Sequence, residues 1–106
     1  MSGTTGRPRL ECAWDPAKAA SNLTKHGVTF AQAATVLLDP LALTVFDEAH
    51  SEFEERWFTL GQSSDGKLLA VSHTYTSTGP DTTQARIISA REATRNERRQ
   101  YEEEPR

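Results

Sequence analysis

Between Gln84 and Glu104 the chain reads QARIISAREATRNERRQYEEE, a short apolar run entering a segment crowded with arginine. A guanidinium is planar, permanently charged and able to donate two parallel hydrogen bonds, a geometry that suits a phosphate. Strand alternation puts Arg86, Ile88 and Ala90 on one face and Ala85, Ile87 and Ser89 on the other. An arginine in such a strand needs a carboxylate partner or an anionic ligand. A helix starting at Arg91 carries Arg91, Arg95, Arg98 and Arg99 at i, i+4, i+7 and i+8, on one face. Like charges at that spacing weaken a helix by about 0.2–0.5 kcal/mol per pair. The stripe therefore either pairs with Glu92, Glu97 and the Glu102–Glu104 run or receives something anionic. Arg86 and Arg91 flank the expected strand–helix junction, where one phosphodiester can touch both.

Other reactive types are sparse. Cys12 is the single cysteine, so no intramolecular disulfide is available, and burial as a small core residue is its ordinary fate. His26, His50 and His73 are scattered without metal-ligand spacing, so no metal site is expected. The formal charge of −3 is unevenly spread. Asp47, Glu48, Glu52, Glu54 and Glu55 form an acidic stretch, while five arginines lie between Arg86 and Arg99. One end of the molecule is basic although the whole is acidic.

The elements that must hold these groups follow from pattern. The 106 residues suit one domain over 10–104. The first nine, MSGTTGRPR, lack the apolar core of a secretory signal and read as a disordered leader. Leu10–Trp14 is a brief strand. Asp15-Pro16 starts a helix that Gly27 ends. Thr29-x-x-Gln32 is a capping box for a second helix, which Asp39-Pro40 stops. From Leu41 the period changes to two, giving strands at Leu41–Phe46, Arg56–Leu60, Leu68–Thr76 and Ala85–Ala90. Asp65-Gly66 marks a hairpin, and TSTGPDTT a longer turn, mobile at its tip. A helix from Arg91 to about Glu103 closes the chain, with Tyr101 anchoring it to the sheet. The expected fold class is α+β, a small antiparallel sheet of about four main strands with two N-terminal helices and one C-terminal helix.

Several separated blocks together resemble the BrnT family of bacterial type II toxins. They are Trp14-Asp15, Lys25-His26-Gly27-Val28, Asp39-Pro40, His50-Ser51, Glu55-Arg56 and Arg86 to Arg91, and the match spans nearly all of Leu10 to Glu103. The resemblance implies a RelE-like domain that cleaves RNA without a metal or other cofactor. It also implies neutralisation by a BrnA-like ribbon–helix–helix antitoxin in a 2:2 complex, operator DNA being bound only through the antitoxin. A cytoplasmic location is expected. The stretch before Arg86 departs from the family pattern, being longer and lacking an arginine after Lys67.

Within that reading, metal-free cleavage needs a base for the 2′-hydroxyl, cations for the phosphorane and an acid for the 5′-oxygen. Arg86, Arg91 and Arg56 are the candidate cations. Imidazoles exchange protons near neutrality, which nominates His26 and His50. The acidic setting of His50 suits a general acid, and a loop-organising hydrogen bond to Ser51 or Glu52 is the plain alternative. Glu55 is a candidate base. Lys25, Arg95, Arg98 and Arg99 are candidate RNA contacts. The Lys25-His26-Gly27 run equally suits a helix C-terminus, where both cations offset the dipole. His73 is expected in or near the core. A binding module without chemistry, inhibiting a macromolecule or serving as the antitoxin's partner, is the alternative function.

Overall fold

A computed structural model describes residues 9–105. The leader expected over residues 1–9 lies outside the described residues except for Arg9, which opens β1 (Arg9–Ala13). Asp15 caps α1 (Pro16–His26) by accepting from the Ala17 N–H, and Gly27 closes it at φ 68°, a conformation that costs a Cβ-bearing residue. Thr29 and Gln32 form a reciprocal capping box for α2 (Phe30–Val36). Then come β2 (Leu43–Phe46), a 3-10 turn at Glu48–His50, β3 (Trp57–Gln62), β4 (Leu68–His73), β5 (Thr76–Gly79), β6 (Thr82–Glu92) and α3 (Arg95–Glu103).

The strands form one sheet in the order β1-β6-β4-β3-β2, with β5 also paired to β6. β2, β3 and β4 make the expected antiparallel meander. The complete sheet has six strands and is mixed, where a four-stranded antiparallel one was expected, because β1 pairs in parallel with β6. The TSTGPDTT stretch is also mostly strand. Thr76 and Ser77 pair with Gln84 and Thr83, which leaves Pro80 and Asp81 as the turn. Threonine suits a pleated, partly solvated ladder, and β6 supplies the missing partner.

Two further differences change the geometry of the arginines. In the β4–β6 ladder Ser72 faces Ser89 and His73 faces Ile87, so Ile88 is an extra residue in a bulge. The bulge reverses side-chain parity: Ala85, Ile87 and Ala90 are all buried, and Ala90 does not share a face with Arg86. Arg86, Ser89 and Arg91 instead emerge on the opposite face. The last helix also starts later than Arg91. Arg91 lies in β6 opposite Ala70, and Thr94 with Glu97 forms the capping box of α3. The four-arginine helical stripe therefore reduces to Arg95, Arg98 and Arg99, all exposed.

Each face of the sheet has its own core. Val28, Phe30, Ala33 and Val36 pack on Leu69, Val71, Ile87 and Ala90. Leu60, Leu68 and Ala70 on the other face are covered by Ala93 and Tyr101, with Leu43 and Phe58 alongside. Tyr101 donates to Asp39 Oδ2 at 2.6 Å, and that oxygen also accepts the Gln62 N–H at 2.8 Å. The expected anchoring role of Tyr101 is thus visible. Because α3 covers the end of this face near the β3–β4 turn, the opposite end is left open.

Candidate functional site

The open end is a hollow of about 300 Å³ lined by Asp47, His50, Arg56, Phe58, Ser72, Ile88, Ser89 and Arg91. Its floor is the β3–β4–β6 surface and its rim is the segment 47–56. That segment is closed at its neck by the backbone: Asp47 N–H donates to Arg56 O at 2.8 Å, and Ser51 Oγ donates to Asp47 O while accepting the Arg56 N–H at 3.0 Å. The short neck fixes His50 and Arg56 relative to the strands.

His50 Nδ1 lies 2.9 Å from Asp47 Oδ2 and 3.1 Å from Oδ1. A ring tied through Nδ1 is left with Nε2 for a substrate proton. The plain alternative of a bond to Ser51 or Glu52 is not what forms; the partner is Asp47. Arg56 brings the second feature. Its Nε is buried and, among the described residues, has no hydrogen-bond partner. Buried nitrogens of that kind are rare, because the desolvated N–H costs about 1–3 kcal/mol unless something accepts it.

Arg91 is held from behind. Its Nη1 and Nη2 donate to Glu97 Oε1 at 2.8 Å and Oε2 at 3.0 Å, a two-pronged pair reaching from strand to helix. That hydrogen-bonded guanidinium, aided by the Thr94 N–H, holds the Glu97 carboxyl down to about 2, and Glu97 in turn raises Arg91. The arginine is charged at any physiological pH and its side chain stays 40% exposed. Arg86 lies outside the hollow. Its Nη2 contacts both oxygens of Glu54, which also sits 3.8 Å from Arg56 Nη2. The Arg86 contact, more than the opposing desolvation, lowers the Glu54 carboxyl.

Of the residues singled out in the sequence, Arg56, His50 and Arg91 meet around one hollow. Lys25 and His26 line a separate hollow of about 220 Å³ that shares the Ile88–Ser89 wall. Glu55 is exposed and lines neither, and Arg95, Arg98 and Arg99 lie on the outer side of α3. His73 is buried as expected, taking a hydrogen bond at Nε2 from Thr59 at 2.7 Å and donating from Nδ1 to Thr74 O at 3.3 Å. Sequence reasoning missed Asp47, Glu54, Ser72 and Ser89. The two acids were hidden among equivalent neighbours, and the serines carry no signal until the strands pair. Among the described residues, no three of His, Cys, Asp and Glu converge on one point, and no helix is long and apolar enough to cross a membrane.

The family model described as the ribonuclease toxin BrnT of type II toxin–antitoxin systems matches residues 14–97. The crystal structure of the Brucella abortus ribonuclease toxin BrnT superposes with a TM-score of 0.55 and 24% identity, over 81% of this chain and 99% of that one. At that identity the likeness speaks for the fold. No curated protein is similar enough to match. The family match runs from Trp14 beside α1 to Glu97 at the start of α3, and so takes in every residue that lines the open hollow. The chain belongs to the BrnT family, the ribonuclease toxins of type II toxin–antitoxin systems.

Proposed function

We propose that this protein is a metal-independent endoribonuclease whose cleavage site is the hollow between His50, Arg56 and Arg91. The observation that carries the proposal is the buried Arg56 Nε, without a hydrogen-bond partner among the described residues, in a pocket that also holds a charged arginine and a histidine. Turning of the partly exposed Arg56 side chain toward a phosphodiester gives that N–H the acceptor it lacks. In the reaction the 2′-oxygen bonds to phosphorus and the phosphorus–5′-oxygen bond breaks, leaving a 2′,3′-cyclic phosphate and a 5′-hydroxyl. Negative charge grows on the non-bridging oxygens, and Arg56 and Arg91 are set to meet it, with Arg86 near the entrance. His50 Nε2 is the proton-transfer group, its ring held through Nδ1 by Asp47. Glu97 keeps Arg91 in place without burying it.

A second reading, a binding module without chemistry, has one observation in its favour: both Arg86 and Arg91 are engaged by carboxylates. Their side chains are nonetheless 37% and 40% exposed, so neither is locked away. The test is incubation of the purified chain with a long defined RNA in EDTA, beside Arg56→Ala, His50→Ala and Arg91→Ala variants shown by circular dichroism to be folded. Cleavage by wild type and loss in the variants supports the nuclease. Intact RNA with growth arrest on expression favours the binding module.

The partner that fits this reading is a BrnA-like ribbon–helix–helix antitoxin in a 2:2 complex, with operator contact made by the antitoxin and both proteins acting in the cytoplasm. Occlusion of the basic hollow is the simplest means of neutralisation. The exposed arginines of α3 offer an acidic antitoxin segment a place to hold.

A further inference from the structure

The second hollow, lined by Lys18, Ser21, Asn22, Lys25 and His26, with Ile88 and Ser89 as its far wall, lies outside the chemistry described above. Lys18, Ser21, Asn22 and Lys25 stand at i, i+3, i+4 and i+7 and so form one stripe of α1. That stripe faces β6 where the sheet has an unpaired edge. β1 stops pairing at Arg86, and the Asn22 side chain takes over the ladder, donating to Ala90 O at 2.8 Å and accepting the Ala90 N–H at 3.0 Å. The Ala90 backbone groups on this edge are therefore satisfied by Asn22 and not by anything in the hollow.

Two features mark this hollow as an anion site. Among the described residues neither Lys18 nor Lys25 makes an ion pair, in contrast to Arg86 and Arg91, and His26 adds a third basic group. Glu54 is a carboxylate that feels Arg86, Arg56 and Lys18 together. Glu54 thus sits where the positive fields of both hollows overlap. The two hollows also share Ile88 and Ser89, the bulge of β6, as a common wall. A chain with regularly spaced negative charges can lie across that wall with one charge on either side. A compact anion fills only one hollow.

We propose that the Lys18–Lys25–His26 hollow is a second backbone-phosphate subsite for single-stranded RNA, flanking the phosphodiester held in the neighbouring hollow. It rests on the reading of that neighbour as the cleavage site. It makes the enzyme prefer a strand extending beyond the cut bond over a minimal substrate.

The test separates binding from cleavage. A 2′-O-methyl oligoribonucleotide, which lacks the attacking hydroxyl, is titrated by fluorescence anisotropy at several salt concentrations against the wild type and the Lys18→Gln/Lys25→Gln double variant. The expected result is a Kd raised about tenfold and a salt slope shallower by about 0.7 per lost contact. Lys67→Gln, one of the same Lys-to-Gln changes made at the far end of the β3–β4 hairpin, leaves both unchanged, and Lys18→Arg/Lys25→Arg restores binding. An unchanged Kd and slope in the double variant, or an equal effect of Lys67→Gln, overturns the subsite. Cleavage of the matching 2′-hydroxyl RNA by the wild type is scored separately, so that a protein that binds through these lysines but does not cut rejects the nuclease reading alone. If only an acidic peptide competes for the hollow and RNA does not, the occupant is the antitoxin and the subsite is rejected.

Discussion

Glu54 straddles a single nitrogen of Arg86: Oε1 lies 2.5 Å and Oε2 2.6 Å from Nη2. The pair joins the acidic segment 47–56 to the strand that carries Arg91, and Arg56 from the same segment stands 3.8 Å from that carboxylate. The acidic stretch and the basic junction seen in the sequence are thus two halves of one contact. On the reading proposed above, a carboxylate resting on two arginines competes with an incoming phosphate.

Substituting Glu54→Gln is therefore expected to strengthen RNA binding. The contact is solvent-exposed, so the gain is modest, roughly two- to five-fold in Kd at low salt, and it shrinks as added salt screens the field. Anisotropy with a non-cleavable RNA at two ionic strengths checks this. Weaker binding in the variant would mean that Glu54 orders Arg86 for its ligand and does not compete with it.

Glu97 serves both Arg91 and the first turn of α3, accepting the Thr94 N–H as well as the guanidinium. Its carboxyl is held at about 2 against an ordinary 4.5. The folded pKa is depressed, so the native state binds fewer protons than the unfolded chain. The stabilisation is complete above about 4.5 and lost as pH falls toward 2. Glu97→Gln should cost about 1–2 kcal/mol at neutral pH, after screening at the partly open Arg91, and almost nothing at pH 2. Urea denaturation at both pH values reads the difference. A penalty independent of pH would assign the whole effect to the lost cap.

What the sequence made legible was local. Asp15-Pro16 and Gly27 delimit α1, Thr29 and Gln32 start α2, and Asp65-Gly66 turns β3 into β4, because each signal acts within a few residues. The Thr94-x-x-Glu97 box carried the same signature as Thr29-x-x-Gln32, yet Arg91 drew the helix start forward. The bulge at Ile88 has no local signature. It arises from pairing with β4, and it puts Arg86 and Arg91 on one face despite their odd spacing. The parallel partnership of β1 is likewise decided some seventy residues away in the chain. Residue types in the site could be nominated one by one, but the grouping of His50, Arg56 and Arg91 depends on those long-range registers.

His73 offers a second pH-dependent element, distinct from the site. It is fully buried, and desolvation lowers its pKa from 6.5 despite the opposing bond to Thr74 O. The native state therefore keeps the imidazole neutral while the unfolded chain takes up a proton. Stability is full above about 6.5 and declines as pH falls toward the folded pKa. Denaturation midpoints should fall between pH 7 and pH 5 in the wild type. His73→Gln should be less stable at pH 7, since Thr59 loses its 2.7 Å partner, but flatter across that range. An equally steep variant would place the titration elsewhere.

Asn22 sets the geometry of the strand that bears Arg91. Its amide donates to Val28 O at 3.0 Å and exchanges two hydrogen bonds with Ala90, with the residue only 5% exposed. Asn22→Ala leaves the Ala90 N–H and two carbonyls without these partners at a buried position, at about 2–4 kcal/mol. Asn22→Asp keeps the acceptor for the Ala90 N–H but cannot donate to either carbonyl and buries a charge, so it should be at least as damaging. Arg91 is next to Ala90, and Ile88 and Ser89 wall both hollows. Loss of Asn22 should therefore weaken RNA binding even where the protein remains folded. Urea denaturation gives the stability cost, and amide hydrogen exchange at Ala90 gives the local one. Exchange at Ala90 as slow in Asn22→Ala as in the wild type would show that the edge is protected by something other than this side chain.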